Sequence, residues 1–155
     1  MVNLIGTYDC KVDLKGRLMV PSALKKQLVP VLQDGFIMKR SVFEPCLELY
    51  PMERWNVIMA KMNKLNPFDR KINAFIRTFT AGVKNVEVDT NGRLLIPKEL
   101  TERAGIDKEI VLAAAMGHIE IWDKEKYEAT LSDSTEGFAE LAEEVMGNVW
   151  NDGVS

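Results

Sequence analysis

The chain has few of the residues that most often carry chemistry or covalent scaffolding. Two cysteines, Cys10 and Cys46, and one histidine, His118, are spread over 155 residues. Two cysteines are too few for a disulfide framework and suit buried free thiols in a reducing compartment. One histidine excludes most histidine-based metal sites and any Cys/His finger, so neither a metal nor a cofactor is expected, and His118 reads as a strand-end surface residue. Long apolar runs are also missing. The longest, Ile110 to Met116, is seven residues, far short of the ~20 that a membrane-spanning helix needs. Met1-Val2-Asn3-Leu4-Ile5-Gly6 lacks a basic patch ahead of an apolar stretch, so no secretory signal is read and a cytoplasmic protein is expected. No glycine-rich phosphate loop joins a strand to a helix, and Ser, Cys and His fall at no triad spacing. An enzyme is therefore not expected.

Basic residues are absent after Lys126. The formal charge of -3 hides two unlike regions. Residues 1–80 carry 13 Lys/Arg against 7 Asp/Glu, a net of +6, and residues 81–155 carry 7 against 16, a net of -9. A basic half admits a polyanion partner, whereas an acidic tail repels one. With 46% hydrophobic residues, the chain suits one globular unit or two small halves.

What is present is a repeat. Val12-Asp13-Leu14-Lys15-Gly16-Arg17-Leu18-Met19-Val20-Pro21-Ser22-Ala23-Leu24 aligns with Val88-Asp89-Thr90-Asn91-Gly92-Arg93-Leu94-Leu95-Ile96-Pro97-Lys98-Glu99-Leu100 at an offset of 76, with seven identities in thirteen positions. A second block, Leu47-Glu48-Leu49-Tyr50, matches Ile119-Glu120-Ile121-Trp122 at an offset of 72. Chance is a poor explanation of such ordered blocks, and duplication follows.

Each copy reads as strand, tight turn, strand, short helix, strand, strand. Leu4 to Val12 and Val83 to Val88 are β-leaning. Asp13 and Asp89 open the turns, where a carboxylate accepts turn N–H groups. Gly16 and Gly92 fall where a bulged turn needs a positive φ. Arg17 and Arg93 begin the return strands, and Pro21 and Pro97 precede helices whose inner faces are Leu24 and Leu28, Leu100 and Ala104. Gly35 and Gly105 stand beyond helix ends. Phe36–Lys39 and Ile110–Ala113 are third strands, and the second blocks read as half-buried fourth strands. Between the copies, Trp55, Ile58, Met59, Met62 and Leu65 mark one helix. Phe68, Ile72, Phe75, Ile76 and Phe79 mark another, with Asn66-Pro67 as punctuation and cap. Phe138, Leu141, Ala142, Val145 and Met146 mark a C-terminal helix, and 147–155 looks frayed. The expected divisions are 1–54 (first repeat), 55–80 (helical insert), 81–127 (second repeat) and 128–155 (acidic helix and tail).

One copy has too small a core to stand alone. Two copies in one chain can interleave and cover each other's strand edges. The expected fold is therefore α+β, a closed pseudo-two-fold β-barrel with a helical insert and a C-terminal helix. Two turns that each project an arginine form a repeated cationic element. A guanidinium pairs with phosphate, or bidentately with guanine in the major groove. Arg17, Arg93, Lys15 and Asn91 are the candidate DNA contacts; Asp13, Asp89, Gly16 and Gly92 brace the turns.

These paired Asp-x-x-Gly-Arg motifs, each followed by a proline, resemble the two SpoVT/AbrB-type halves of the MraZ family of bacterial transcriptional regulators, over about residues 1–146. The resemblance implies a swapped-hairpin, double-psi-like β-barrel that assembles into a homo-oligomeric ring. It further implies a nucleoid-associated regulator of double-stranded DNA. Such a protein binds short direct repeats upstream of the division and cell-wall gene cluster that holds its own gene, mainly as a repressor. Lys15 stands where the second copy has Asn91, so the two loops are expected to contribute unequally. Trp55, Phe68, Phe75, Phe79, Phe138 and Trp150 are candidates for the subunit interface.

Two rival readings compete with this one. Duplicated aspartates in a barrel suggest an aspartic-protease dyad, but Arg17 and Arg93 would keep both carboxylates ionised, whereas a dyad shares a proton. A labile antitoxin-like or scaffolding protein, its acidic tail engaging a basic partner, is the stronger rival. The duplication within one chain speaks against it.

Overall fold

The computed structural model describes residues 2–152. The first half runs β1 (Gly6–Lys11), β2 (Arg17–Met19), α1 (Ser22–Leu28), a 3-10 turn (Val29–Asp34), β3 (Phe36–Arg40), β4 (Leu47–Pro51), α2 (Met52–Met62) and α3 (Arg70–Thr80). The second runs β5 (Lys84–Val86), β6 (Arg93–Leu95), α4 (Lys98–Ala104), β7 (Glu109–Ala115), β8 (His118–Asp123), α5 (Lys124–Thr135) and α6 (Phe138–Asp152). The order β-β-α-β-β-α-α thus occurs twice, and a helix pair follows the fourth strand of each copy.

The strands are exchanged between the copies. An antiparallel six-stranded sheet has the order β1-β7-β8-β4-β3-β5, and β2 pairs with β6 in a separate ribbon. The first strand of each copy therefore pairs with the third strand of the other, β1 with β7 and β5 with β3. The fourth strands β4 and β8 meet at the centre. The expected closed barrel is not what forms: the sheet is open, with β1 and β5 at its edges. β2, β5 and β6 are three residues each, too short to carry a continuous ladder around a ring. β1 blunts its edge with outward Asp9 and Lys11, as edge strands do.

The main core lies on one face of the sheet. Leu4, Leu18, Leu24, Leu28, Phe36, Met38, Leu47, Leu94, Ile96, Leu100, Ile110, Ile119 and Ile121 are buried together. Period-two alternation sends Leu18 and Leu94 inward from the ribbon; truncating either to alanine costs about 2–5 kcal/mol. Leu24 and Leu28, Leu100 and Ala104 are the buried positions of α1 and α4.

The opposite sheet face was expected to be half solvent. Instead Ile37, Tyr50 and Trp55 form a second cluster with Met52, Ile58, Met59, Phe79 and Val83. α2 and α3 supply its cover: Trp55 stacks on Phe79 at 5.9 Å and meets Tyr50 at 5.6 Å. Trp55 is therefore core rather than interface. Lys39 is fully buried there, donating to the Arg40 carbonyl at 2.7 Å and to Glu48 at 3.3 Å, with its ammonium 4.4 Å from the Phe79 ring centre. Burial first, and then the Glu120, Glu48 and Glu44 carboxylates, push the Cys46 thiol well above its ordinary range. Both cysteines are free; Cys46 is buried and Cys10 only partly so.

Three local expectations need correction. The cap of α3 is Asp69, whose side chain accepts from the N–H groups of Lys71 and Ile72. Asn66 instead braces the turn before it, accepting from the Phe68 N–H. His118 is not a surface residue. It opens β8 half-buried, with its ring stacked 4.9 Å from that of Tyr50. Finally, residues 147–152 continue α6; of the expected frayed end, 153–155 lie outside the described residues. The helical unit from Glu125 onward is distinct from the β-rich unit before it. It turns at Gly137, whose φ is +79°. Its α5 segment follows β8 as α2 follows β4, and no periodic apolar stripe announced it.

Candidate nucleic-acid interface

The two Asp-x-x-Gly-Arg loops adopt one geometry twice. In each, the aspartate and arginine backbones close the hairpin: the Asp13 N–H donates to the Arg17 carbonyl at 2.9 Å, and the Asp89 N–H to the Arg93 carbonyl at 2.9 Å. Asp13 Oδ1 accepts from the N–H groups of Lys15 and Arg17, both at 2.9 Å, and Asp89 Oδ1 from those of Asn91 and Arg93 at the same distance. Gly16 and Gly92 sit at φ +85° and +82°, a region costly for any residue with a Cβ. Each loop is also tied to the other copy, by Ile96 N–H to the Gly16 carbonyl at 2.8 Å and Val20 N–H to the Gly92 carbonyl at 2.9 Å.

The second carboxylate oxygen faces the arginine. Asp13 Oδ2 lies 2.8 Å from Arg17 Nε, and Asp89 Oδ2 lies 3.4 Å from Arg93 Nε. An ion pair made at Nε uses one donor of the guanidinium, whose terminal nitrogens carry the others. The arginine backbone N–H is the largest influence holding each aspartate below the ordinary carboxylate range, and the guanidinium beside it adds to the effect.

The ribbon register aligns the two arginines. Arg17 pairs with Leu95, Leu18 with Leu94, and Met19 with Arg93. Directly opposed residues share a face and neighbours along a strand alternate. With Leu18 and Leu94 buried, Arg17, Arg93, Met19 and Leu95 all lie on the outer face. The arginine side chains are 41% and 40% exposed. They occupy a diagonal of the ribbon, their Cα atoms roughly 7–8 Å apart. Lys15 and Asn91 are exposed at the loop tips beside them.

A family model described as "MraZ protein, putative antitoxin-like" matches residues 4–77 and 79–149. The chain belongs to the MraZ family. It is 72% identical over 155 residues to "Transcriptional regulator MraZ" of Christiangramia forsetii, covering 100% of both chains. It is 60% identical over 152 residues to the protein of that name from Flavobacterium psychrophilum, covering 98% of this chain and 97% of that one. The Acetivibrio thermocellus protein of the same name is 36% identical over 140 residues, 90% of this chain and 94% of the other.

Within that MraZ-family framework the eight residues singled out from the sequence all fall in the two loops. Three side chains beside these loops were not named from the sequence. Met19 and Leu95 place exposed apolar surface between the arginines, and alternation in Arg17-Leu18-Met19 and Arg93-Leu94-Leu95 carried that signal. Lys25 was missed because its approach is tertiary: its Nζ lies 3.1 Å from where a Cβ on Gly92 would sit.

Proposed function

We propose that the chain is a sequence-specific DNA-binding transcriptional regulator that reads the major groove with the β2–β6 ribbon. The observation that carries this reading is the ribbon register, which aims two aspartate-braced arginines outward from one face. A two-stranded ribbon fits the major groove, where an arginine fork pairs with guanine O6 and N7 and apolar side chains touch thymine methyl groups. Arg17 and Arg93 are the base- or phosphate-reading groups, Met19 and Leu95 the apolar contacts, and Lys15 and Asn91 the loop-tip contacts. Asp13, Asp89, Gly16 and Gly92 fix the loops. The relatives' names support the regulatory class.

Each half is read as one SpoVT/AbrB-type unit with a helix pair attached, so that the expected insert and C-terminal segment are counterparts. The two segments matched by the family model support that division, and the exchange of first strands supports a swapped-hairpin arrangement in open form. The antitoxin-like alternative draws on the family description and the acidic second half. The twofold repetition of the reading element on one face favours DNA.

Two arginines per chain give few phosphate contacts, and affinity falls with salt for each one. A homo-oligomeric ring facing short direct repeats makes later contacts intramolecular and raises avidity about 100-fold or more. Exposed Phe68, Phe75, Phe138 and Trp150 are the interface candidates. Repression of the cluster containing its own gene, from the nucleoid, is the role this assembly suits. The test is a gel shift with duplex from just upstream of its gene, at low and physiological salt. Specific binding that weakens by a decade or more is expected; absent or salt-insensitive binding overturns the proposal. Light scattering at micromolar concentration reads the ring directly, and a monomer removes the avidity argument.

A further inference from the structure

The line where the two halves meet carries a second cluster of ligating groups, on the β4–β8 pair rather than on the β2–β6 ribbon. β4 and β8 pair there, and their register sets Glu48 directly opposite Glu120. Like charges facing each other across a ladder destabilise it, and these two are half-buried. One ammonium, Lys39, reaches Glu48 Oε1 at 3.3 Å. Arg54 also stands at this layer, its charge felt by Tyr50 and its side chain against Gly117. His118 lies two residues before Glu120 on the same strand face and adds an imidazole nitrogen. One donor atom from each of Glu48, His118 and Glu120 lies within 4.8 Å of the others.

We propose that Glu48, His118 and Glu120 bind a single divalent first-row transition ion of the zinc type, tying the two halves together at their pseudo-two-fold line. The side chains around the three are arranged as supports. The Tyr50 hydroxyl donates to Glu48 Oε1 at 2.9 Å, and Trp122 Nε1 donates to Glu120 Oε1 at 3.0 Å. The Tyr50 ring stacks on His118 at 4.9 Å. Such partners fix ligand orientation. Both glutamates accept these hydrogen bonds on Oε1, and Oε2 is the oxygen offered to the ion in this proposal. Two carboxylates, a neutral imidazole and one open position make a zinc-type set, and the nitrogen donor disfavours magnesium and calcium. In a site with ~2.0–2.2 Å bonds, donors stand roughly 3.4 Å apart, so small side-chain rotations draw the group inward.

The sequence shows how duplication built the site. Cys46-Leu47-Glu48 and His118-Ile119-Glu120 correspond at the offset of 72. Because the strands are antiparallel, Cys46 falls on the Trp122 side of the glutamate pair and His118 on the Tyr50 side. The ligand set is therefore asymmetric and takes its nitrogen from the second copy alone.

The test uses the untagged full chain, stripped with EDTA and titrated with Zn2+ by calorimetry and with Co2+ by visible absorption. One ion per chain is expected, with His118→Ala and Glu120→Gln each weakening binding more than ~10-fold. Because His118 is the chain's one histidine, its imidazole NMR signals report without any variant, and Co2+ should shift or broaden them at one equivalent. Lys39→Met removes the competing ammonium. It should lower Tm in EDTA and show a larger rise with Zn2+ than wild type. Absence of binding at micromolar ion, undisturbed histidine signals, or His118→Ala binding as tightly as wild type would each overturn the proposal; the last would assign the ion to exposed acidic side chains.

Discussion

The two Asp-x-x-Gly-Arg loops share a backbone and differ in what surrounds it. In the first, Arg17 Nε is hydrogen-bonded to Asp13 at 2.8 Å. In the second, Arg93 Nε lies 3.4 Å from Asp89 Oδ2, a longer and looser ion pair. The first tip is Leu14-Lys15, with Leu14 98% exposed; the second is Thr90-Asn91. Gly16 presses on the other copy, where an added Cβ would meet the Ile96 carbonyl oxygen at 2.7 Å, whereas Gly92 faces the flexible end of Lys25. Lys25 corresponds to Thr101 at the offset of 76, and the shorter side chain lines a cleft of about 470 Å3 beside the first loop. Duplication thus conserved the turn that aims the arginine and left its surroundings free to diverge.

The comparison breaks most visibly at the arginines. Arg17→Ala and Arg93→Ala should each weaken operator binding ~10–100-fold, the worth of a bidentate base contact, while circular dichroism and Tm stay near wild type. A fall for one arginine alone, measured by fluorescence anisotropy, would leave a single reading loop.

The glycines sharpen the comparison through stability. Gly16→Ala combines a strained φ with a clash against backbone and should cost roughly 2–4 kcal/mol in urea unfolding. Gly92→Ala carries the φ penalty with a side chain that can retreat, about 1–2 kcal/mol. Equal losses would mean that the contact with Ile96 is not what distinguishes the loops.

The loop tips should differ by less. Lys15→Asn should reduce the slope of log affinity against log salt by about one, and Asn91→Lys should raise it by about one. Unchanged slopes would remove the tips from the phosphate contacts.

The smallest effect is a deliberate null in pH. Asp13 and Asp89 are held below the ordinary carboxylate range by the arginine backbone N–H groups first. A lowered folded pKa gives a brace that is fully present above the unfolded value near ~4 and is lost as pH falls through the folded one. Loop chemical shifts should therefore be flat from pH 8 to about 5. A transition in the loops within that window would contradict the bracing.

Much of this was legible in the residues. The repeat predicted both turns, both positive-φ glycines and the strands that flank them, because those depend on local chemistry. The arginine pair was legible too, although the face it shares needed the ribbon register. Barrel closure was not: it depends on how far three-residue strands reach, which no local motif encodes. Glu48 and Glu120 read as the wet side of amphipathic strands, because alternation cannot reveal that α2 and α3 cover that face over Tyr50 and Lys39. His118 looked like an isolated strand-end residue for the same reason, since its neighbours come from the other copy. The α5 helix was missed because its apolar residues follow no stripe, and its place after β8 is explained by the duplication.

The most direct test is a competition between operator duplex and a scrambled duplex of equal length, for wild type and for the Arg17→Ala/Arg93→Ala double variant. If the braced arginines read sequence, wild type prefers the operator strongly and the folded double variant binds both duplexes nearly alike. A double variant that keeps the wild-type preference would contradict the account and return the arginines to stiffening their own hairpins.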